Sequence, residues 1–233
     1  MTHGPSTHDR ILEVAGRLFA EHGFKRVTVR DICKAARVNL AAVNYHFGDK
    51  RGLYEAVLRA AVERMRKTTE EARQAGHGLP PEEQLRRYLE IFIGRLLAAG
   101  HKSYIHRLIH REASDPTAAL DIVIEGVRPR VEFLAGLVAE ITGLDPSDAR
   151  VLRSVMSIQA QSVAGLPNPI AARFGHKPTP ADAKLIADHI ADFSLRGICG
   201  MRCRTARKPT SRKAPALSSA RTPGRRRAGS SRA

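Results

Sequence analysis

The sequence predicts an all-α fold, and three observations support this. Apolar residues recur three and four positions apart in successive segments, as Ile11, Ala15 and Phe19 do in the first of them. Ser, Thr, Asn and Asp residues stand where these segments begin, and such residues favour the N-caps of helices. No segment shows the strict alternation of apolar and polar residues that is typical of a half-buried strand. We therefore expect about nine helices.

The second and third helices are expected to be short and the fourth longer, and each of the first four begins with a capping residue. The expected capping residues are, in order, Ser6 or Thr7, Thr28, Asn39 and Asp49. The first helix should end at Gly23, because glycine adopts the backbone conformation of a helix stop without strain. The third helix should turn Leu40, Val43 and Phe47 toward the core.

Five further helices are expected after the soft break "GHGLPP" at 76–81. The fifth should carry an apolar stripe of Leu85, Tyr88, Leu89, Phe92 and Leu96. The remaining four are expected at "SYIHRLIHRE" (103–112), at about 117–142, from "DPSD" (145–148) to about 164, and from "TPAD" (179–182). Pro129 should bend the seventh helix, because proline cannot donate a backbone hydrogen bond.

Charge divides the chain into a mildly basic body and a strongly basic tail. The 233 residues carry a formal charge of +16, and eleven Lys or Arg with no acidic residue fall after Gly200, which leaves +5 for the first 200 residues. The tail is rich in Ser, Pro, Gly and Ala, so we expect it to be disordered. The expected divisions of the chain are a first domain at 5–52, in which 28–47 form a separate motif, a second domain at 53–199, and a disordered basic tail at 200–233.

Several classes of protein are disfavoured by the composition. No apolar run approaches the ~20 residues that a membrane span needs, and the first ten residues have no apolar core of a secretion signal. The three cysteines (Cys33, Cys199 and Cys203) show no metal-type or redox spacing. We therefore expect a cytoplasmic, nucleoid-associated protein that makes no contact with membranes.

The segment "VRDICKAARVNLAAVNYHFGDK" (29–50) predicts two short helices joined by a tight corner, a helix-turn-helix. Arg37 stands at the corner, where glycine would be expected. Small residues on the outward face of the second short helix would let it lie deep in a major groove. Beside them Asn44 can read adenine, and Tyr45 and His46 can reach phosphates. The alternative is a three-helix core fragment with an incidental polar face.

Residues 10–58, "RILEVAGRLFAEHGFKRVTVRDICKAARVNLAAVNYHFGDKRGLYEAVL", resemble the N-terminal domain of TetR-family transcriptional regulators. The resemblance implies an all-helical homodimer in which a small ligand in the C-terminal domain alters operator binding. It also implies that residues 39–45 read or flank bases and that Thr28 and Lys50 bind the DNA backbone. The positions that would face DNA are Thr28, Asn39, Ala42, Asn44, Tyr45, His46 and Lys50.

The C-terminal half carries a second, less specific resemblance. The stretch "HREASDPTAALDIVIEGVRPRVEFLAGLVAEITGLD" (110–145) is similar to the C-terminal domain of the CerR (YbiH-like) subgroup. The chain departs from the TetR pattern at Arg37, which replaces the usual corner glycine, and at Cys33, which replaces a common alanine. The basic tail has no counterpart in the family pattern.

Two further sets of residues are expected to form sites in the C-terminal half. A ligand pocket is expected at Tyr88, Phe92, Tyr104, Arg107, His110 and Arg111, with ordinary bundle packing as the alternative. Apolar positions on the eighth and ninth helices should pair with a second copy as a four-helix bundle. These positions are Met156, Ile158, Val163, Ile186, Ile190 and Phe193.

No residue pattern predicts an enzyme, a cofactor or a metal site. His106 and His110 stand four apart, a spacing that can bind metal, but no third ligand matches them. The sequence therefore predicts a ligand-responsive, sequence-specific DNA-binding regulator, a repressor that acts as a homodimer on a palindromic double-stranded DNA operator and responds to an unidentified small-molecule effector. Two alternatives remain open: a sequence-indifferent DNA-binding protein that uses its basic tail, and a small-molecule binding protein without operator specificity.

Overall fold

The computed structural model describes residues 6–99, 104–164, 175 and 178–206, and this part of the chain is helical with no strand. The nine α-helices in it are α1 (Thr7–His22), α2 (Val29–Ala36), α3 (Leu40–Phe47), α4 (Lys50–Ala75), α5 (Pro81–Ala99), α6 (Tyr104–Ser114), α7 (Leu120–Thr142), α8 (Ala149–Ala164) and α9 (Ala183–Ala206). A 3₁₀ turn, Pro180–Asp182, leads into α9. The all-α prediction is confirmed. None of the described helices is long and apolar enough to cross a bilayer.

The four expected capping residues all begin helices in the structure. The side-chain oxygens of Ser6, Thr28, Asn39 and Asp49 each accept a hydrogen bond from the backbone N–H three residues later, at 3.1, 3.2, 2.8 and 2.7 Å. Each bond satisfies one of the N–H groups that a helix start leaves without a partner. These caps fix the starts of α1–α4, and therefore the geometry of the corner between α2 and α3.

The N-terminal domain is a small bundle of α1–α3 and the first part of α4. Its core contains Phe19, Ile32, Val43 and Leu53, which are fully buried. Leu40 was expected to point inward with Val43, but it is 49% exposed. Because α3 is only eight residues long, its centre packs against the core and its first residue remains at the surface.

The C-terminal domain is a larger bundle in which α5, α7, α8 and α9 pack around one core. All five residues of the expected stripe on α5 are buried. The helix α4 joins the two domains, and α7 crosses it so closely at Gly126 that a Cβ atom there would clash with Val62. Pro129 lies inside α7, as the sequence predicted.

The last helix is longer than expected. The sequence-based boundary between domain and tail falls after residue 199, but α9 continues to Ala206 and Met201 packs against the C-terminal core. The first proline after Gly200 is Pro209, so no residue in between stops the helix by removing a backbone donor. Residues 207–233, which carry most of the predicted disordered tail, lie outside the described residues, as does most of the loop expected after α8.

Candidate DNA interface and ligand cavity

The outward face of α3 presents three polar side chains in a row. Asn44, Tyr45 and His46 are exposed, and the Tyr45 side chain is 86% exposed although it is large and aromatic. The Tyr45 ring meets the His46 ring edge-on, with 5.1 Å between their centroids. The Asn44 amide forms no hydrogen bond to any described residue, so both its donor and its acceptor are available. This face can therefore contact base edges and phosphates.

Two of the expected DNA-facing residues are occupied by helix capping. The Thr28 hydroxyl donates to Asp31 Oδ2 at 2.6 Å and accepts from the Asp31 N–H, while the Thr28 N–H donates to the same carboxylate oxygen at 2.9 Å. These bonds lower the pKa of the exposed Asp31 carboxyl group. Asn39 uses its carbonyl oxygen on the Ala42 N–H. The Asn39 NH₂ group remains able to donate, whereas Thr28 serves mainly to position α2.

The remaining two expected residues lie beside this face. Ala42 is half-buried, consistent with close approach of α3 to a partner. The Lys50 ammonium lies 4.5 Å from the centroid of the Phe24 ring, a cation–π contact that holds the side chain at the start of α4. Ala42 and Lys50 therefore flank the Asn44–His46 row without forming part of the core.

Residues outside the expected set extend the same surface. The His8 ring stacks on Phe47 at 5.0 Å and meets His46 edge-on at 5.7 Å, which places the start of α1 beside α3. On α2, a basic face is formed by exposed cations spaced four and three residues apart, and none of them forms an ion pair with a described residue. These cations are Arg30, Lys34 and Arg37. Their helical spacing was visible in the sequence and could have identified them.

The C-terminal domain contains a cavity of about 550 Å³ among α4, α5, α6, α7 and α8. Its lining residues are Met65, Tyr88, Phe92, His106, Ile109, His110, Ala113, Arg130, Gln159, Ala160, Ser162 and Val163. The aromatic rings of Tyr88 and Phe92 stack with centroids 5.7 Å apart and form part of its wall. The structure brings the expected residues Tyr88, Phe92 and His110 together here.

Arg130 was missed by sequence reasoning, and it is the only Lys, Arg, Asp or Glu among the described residues that line this cavity. Its Nη2 atom donates to Gln159 Oε1 at 3.0 Å, and its guanidinium carbon lies 5.9 Å from the Phe92 ring centroid. Two buried nitrogen donors, Arg130 Nε and Gln159 Nε2, have no acceptor among the described residues. Burial raises the pKa of Tyr88, and the nearby Arg130 opposes that shift.

His106 is uncharged at neutral pH. Burial, reinforced by repulsion from Arg130, lowers the pKa of His106 to about 4. Its ring meets Phe92 edge-on with centroids 5.3 Å apart, as expected for a neutral imidazole in an aromatic wall. Within the described residues, no group of three His, Cys, Asp or Glu side chains is arranged to hold a metal ion.

Three of the expected pocket residues lie elsewhere. Tyr104 is buried in the N-terminal core, and its ring packs so closely on Gly16 that a Cβ atom at Gly16 would clash with it. The prediction that Tyr104 lines the pocket was wrong, because its side chain faces α1. Arg107 lines a second depression between α1, α6 and α8, together with His110 and Arg111, and this depression shares His106, His110 and Val163 with the cavity. Arg111 also donates from Nη2 to the Glu21 carbonyl oxygen at 3.2 Å.

The helix α6 connects the cavity to the DNA-binding domain. His106 and Ile109 line the cavity, whereas Glu112 on the same helix is fully buried against α4. Glu112 accepts hydrogen bonds from the Tyr54 hydroxyl at 2.7 Å and from the Thr117 N–H and hydroxyl at 2.8 and 2.9 Å. Because α6 also packs on α1, where the Tyr104 ring contacts Gly16, a displacement of α6 at the cavity would displace α1 and α4 as well.

The expected dimer residues separate into three groups, which are buried, partly buried and exposed. Ile158 and Ile190 are buried in the core of the protomer, Ile190 to 4% exposure, so their assignment to an interface was wrong. Ile186 is partly buried against the same core and Val163 lines the cavity. Met156 and Phe193 are exposed, Phe193 to 61%, and they are joined by two exposed residues outside the expected set, Leu152 and Leu185.

Comparisons with known proteins cover both halves of the chain. Residues 11–57 match the family described as "Bacterial regulatory proteins, tetR family". Residues 81–198 match the family described as "HTH-type transcriptional dual regulator CecR, C-terminal domain". The two matches correspond to the two domains of the structure.

Individual relatives agree with these matches. The chain is 31% identical over 158 residues to the HTH-type transcriptional dual regulator CecR of Shigella flexneri, covering 64% of this chain and 70% of that protein. It is 29% identical over 135 residues to the probable HTH-type transcriptional regulator YttP of Bacillus subtilis, covering 58% of this chain. The match spans 64% of YttP, slightly less than two thirds of its length. The HTH-type transcriptional repressor AcnR of Corynebacterium efficiens is 41% identical over 66 residues, covering 28% of this chain and 35% of AcnR.

Solved structures share the fold at low sequence identity. AibR in complex with isovaleryl coenzyme A and operator DNA superposes with a TM-score of 0.63 and 18% identity, covering 81% of this chain and 97% of AibR. The ketosteroid transcriptional regulator KstR2 of Mycobacterium tuberculosis superposes with a TM-score of 0.61 and 19% identity, covering 84% of this chain and 96% of KstR2. Both likenesses concern the fold alone.

Proposed function

Because the chain belongs to the TetR family of bacterial regulatory proteins, we propose that it is a homodimeric repressor that releases its operator when a small ligand binds. As a member of this family it is a DNA-binding transcriptional regulator with a CecR-type C-terminal domain. The ligand response, the repression and the homodimer are proposals, and each has separate support.

The exposed row on α3 carries the proposal of sequence-specific binding. Asn44 has a free amide that can bond adenine bidentately, and Tyr45 is exposed beside it with a hydroxyl that forms no hydrogen bond to a described residue. An exposed Tyr on a short helix of an otherwise well-packed domain requires an explanation, and a major groove supplies one. The basic face of α2 and Lys50 would then contact phosphates on either side of the groove.

Base reading and phosphate binding can be separated by two substitutions. Operator fragments would first be selected from a pool of random double-stranded DNA by the wild-type protein. The Asn44→Ala variant should bind the selected site more weakly by ~1–3 kcal/mol, and it should relax the base preference at one position in each half-site. The Lys50→Ala variant should weaken all sequences about equally and reduce the salt dependence of binding. Equal affinities of wild type and Asn44→Ala would remove Asn44 from base reading.

The proposed homodimer rests on the exposed apolar residues of α8 and α9. Leu152, Met156, Leu185 and Phe193 are exposed, and Phe193 borders a shallow groove between the two helices together with Ser154. Several large apolar side chains exposed on two helices that pack together are typical of an interface. A two-fold interface would present two copies of α3 to a palindrome. The selected DNA should therefore have two-fold symmetry.

The direction of regulation is supported by the names of relatives. AcnR is a transcriptional repressor, whereas CecR is a dual regulator. We favour repression because a dimer seated on an operator blocks access to it without further contacts. A reporter fused to the promoter beside the gene should rise when the gene is deleted, and a fall would indicate activation.

The proposed ligand response rests on the cavity and on α6. The cavity volume of about 550 Å³ lies within the range of small-molecule sites, ~300–1,000 Å³. The relative AibR was solved with both a small molecule and operator DNA. A ligand that displaces α6 would shift α1 and α4 through Tyr104 and Glu112. The size of the response is limited by the difference in ligand affinity between the two states.

A further inference from the structure

We infer that the cavity among α5, α6, α7 and α8 binds a small amphipathic organic monoanion, whose carboxylate or other acidic oxygens pair with Arg130 and Gln159. The inference rests on the proposed ligand response and names the chemical class of its effector. Three properties of the cavity support it: its unpaired donors, its charge and its apolar walls.

The unpaired donors require an acceptor. Arg130 Nε and Gln159 Nε2 are buried, and neither finds an acceptor in the described chain. Gln159 Oε1 already accepts from Arg130 Nη2, which leaves the Gln159 NH₂ group as a donor next to the guanidinium. Guanidinium and amide N–H groups donate and cannot accept, so only an acceptor such as a carboxylate, sulfonate or carbonyl oxygen can satisfy both. Buried donors without partners are rare in folded proteins and are costly.

The charge of the lining favours one negative charge on the ligand. Arg130 forms no ion pair with any described carboxylate, and none of the residues lining the cavity is acidic. His106 is uncharged because burial and Arg130 depress its pKa. Arg130 is therefore a permanent positive charge in the lining, and no lining carboxylate compensates it. A monoanion neutralises that charge, a dianion would leave one charge unpaired, and a cation would be repelled.

The walls favour an apolar body on the ligand. The stacked rings of Tyr88 and Phe92, with Met65, Ile109 and Val163, surround the donor pair with apolar surface. An apolar or aromatic group would be removed from water against these side chains. The combination of a large apolar wall with a few convergent polar groups is the usual composition of a small-molecule site.

A neighbouring depression offers a less suitable site. A groove of about 440 Å³ between α4 and α7 shares Met65 and Arg130 with the cavity. Its lining carries both signs of charge: Glu63 and Glu70 stand beside Arg66, Lys67 and Arg73, and all five of these side chains are exposed to solvent. Arg66 is exposed to solvent, where an ion pair is worth little. An anion should therefore prefer the cavity, and Arg66 provides a matched control for Arg130.

The test uses three probes of the same shape and different charge on the full-length chain. The probes are 1-naphthaleneacetate, 2-(1-naphthyl)ethanol and 2-(1-naphthyl)ethylamine, and isothermal titration calorimetry at pH 7.5 would give their dissociation constants. We expect the acid to bind roughly ten- to a hundredfold more tightly than the alcohol, the ratio typical of hydrogen bonds to charged groups. The amine should bind more weakly than the alcohol.

Substitutions show which side chain causes the preference for the acid over the alcohol. Arg130→Met keeps an unbranched, flexible side chain against Phe92 and removes the charge, so the acid and the alcohol should then bind about equally. Arg66→Met should retain the full preference of the wild type. Gln159→Met, which leaves Arg130 in place, should reduce the preference without abolishing it. Thermal unfolding of each variant would show that it is folded, and the wild-type comparison of the three probes needs no variant.

Several results would overturn the inference. Equal binding of the acid and the alcohol to the wild type, or no binding of any probe at millimolar concentration, would contradict an anion site. A loss of affinity shared equally by all three probes in Arg130→Met would make Arg130 a packing residue. If Arg66→Met lost the preference for the acid over the alcohol and Arg130→Met kept it, the acid would bind in the groove between α4 and α7 and not in the cavity. Operator release would be followed separately by fluorescence anisotropy of labelled DNA. A probe that binds with the expected preference but does not release the DNA would contradict the proposed ligand response. It would leave the class of ligand unaffected.

Discussion

Replacing Arg37 by glycine should cost less stability than replacing it by alanine, although both substitutions remove a large side chain and a charge. Arg37 is the only non-glycine residue with a positive φ in the described part of the chain, at φ 54° and ψ 51°. The left-handed conformation ends α2 and directs both the Arg37 N–H and the Val38 N–H to the Cys33 carbonyl oxygen. An L-residue in this conformation places its Cβ close to the following carbonyl oxygen, whereas glycine has no Cβ.

The expected magnitude follows from a comparison of two substitutions. Arg37→Ala and Arg37→Gly both delete the positive charge near the C-terminus of α2, so the helix-dipole contribution of ~0.3–1 kcal/mol cancels between them. They differ because only glycine relieves the left-handed strain of ~1–2 kcal/mol, while it gives the unfolded chain ~0.4–1 kcal/mol more conformational entropy. The glycine variant should therefore be more stable than the alanine variant by about 1 kcal/mol.

Thermal unfolding followed by circular dichroism would measure this difference. For a chain of this size, 1 kcal/mol corresponds to about 2–4 °C in Tm. The Tm of Arg37→Gly should stay close to that of the wild type, because the lost charge at the end of α2 offsets the relieved strain. An alanine variant as stable as the glycine variant would refute the reasoning, because it would mean that the corner relaxes to a negative φ without cost. The same variants test DNA binding, since Arg37 shares the exposed face of α2 with Arg30 and Lys34. If its guanidinium contacts one phosphate, both variants should lower the salt slope by about 0.9, and Arg37→Lys should restore it.

Three further predictions concern Glu112, which links α6 to α4, His106 in the cavity wall, and the proposed dimer interface. Glu112→Ala should lower the free energy of unfolding in urea by about 3 kcal/mol or more, because it leaves the buried Tyr54 hydroxyl unpaired; Glu112→Gln, which keeps an acceptor, should cost less. Because the pKa of His106 is about 4 in the folded chain against 6.5 for a free histidine, the unfolded chain takes up the proton first. Stability should therefore fall as pH decreases from about 6.5 to about 4, by up to about 3 kcal/mol, and His106→Leu should flatten this part of the profile. Phe193→Asp should yield folded monomers with reduced operator affinity in sedimentation and gel-shift experiments, whereas Ile190→Asp should unfold the protomer, which circular dichroism would show.

The starts of the helices were predictable because their causes are local. A capping residue and its partner stand three positions apart, so the sequence contains both, as Thr28 and Asp31 illustrate. The outward direction of Asn44 and Tyr45 also followed from local periodicity, once Val43 was placed in the core. The left-handed corner at Arg37 was predictable from the position of the residue at the end of α2.

Residues whose role depends on packing between distant helices were not predictable. Both α8 and α9 have more than one apolar face, and periodicity alone does not tell which face meets the protomer core; Ile190 and Phe193 were therefore grouped although one is buried and the other exposed. Arg130 becomes conspicuous only when α7 meets Gln159 of α8, 29 residues later in the chain. Tyr104 was assigned to the cavity because the sequence does not show that α6 contacts α1 with one face and the cavity with another.

The central claim is that α3 reads a palindromic operator, and a DNase I footprint on the promoter region beside the gene tests it most directly. The wild-type protein should protect one short segment with two-fold symmetric sequence, and Asn44→Ala at the same concentration should protect it weakly or not at all. Protection spread over the whole fragment would instead indicate sequence-indifferent binding. The absence of any protection by the wild type would contradict operator recognition at this promoter.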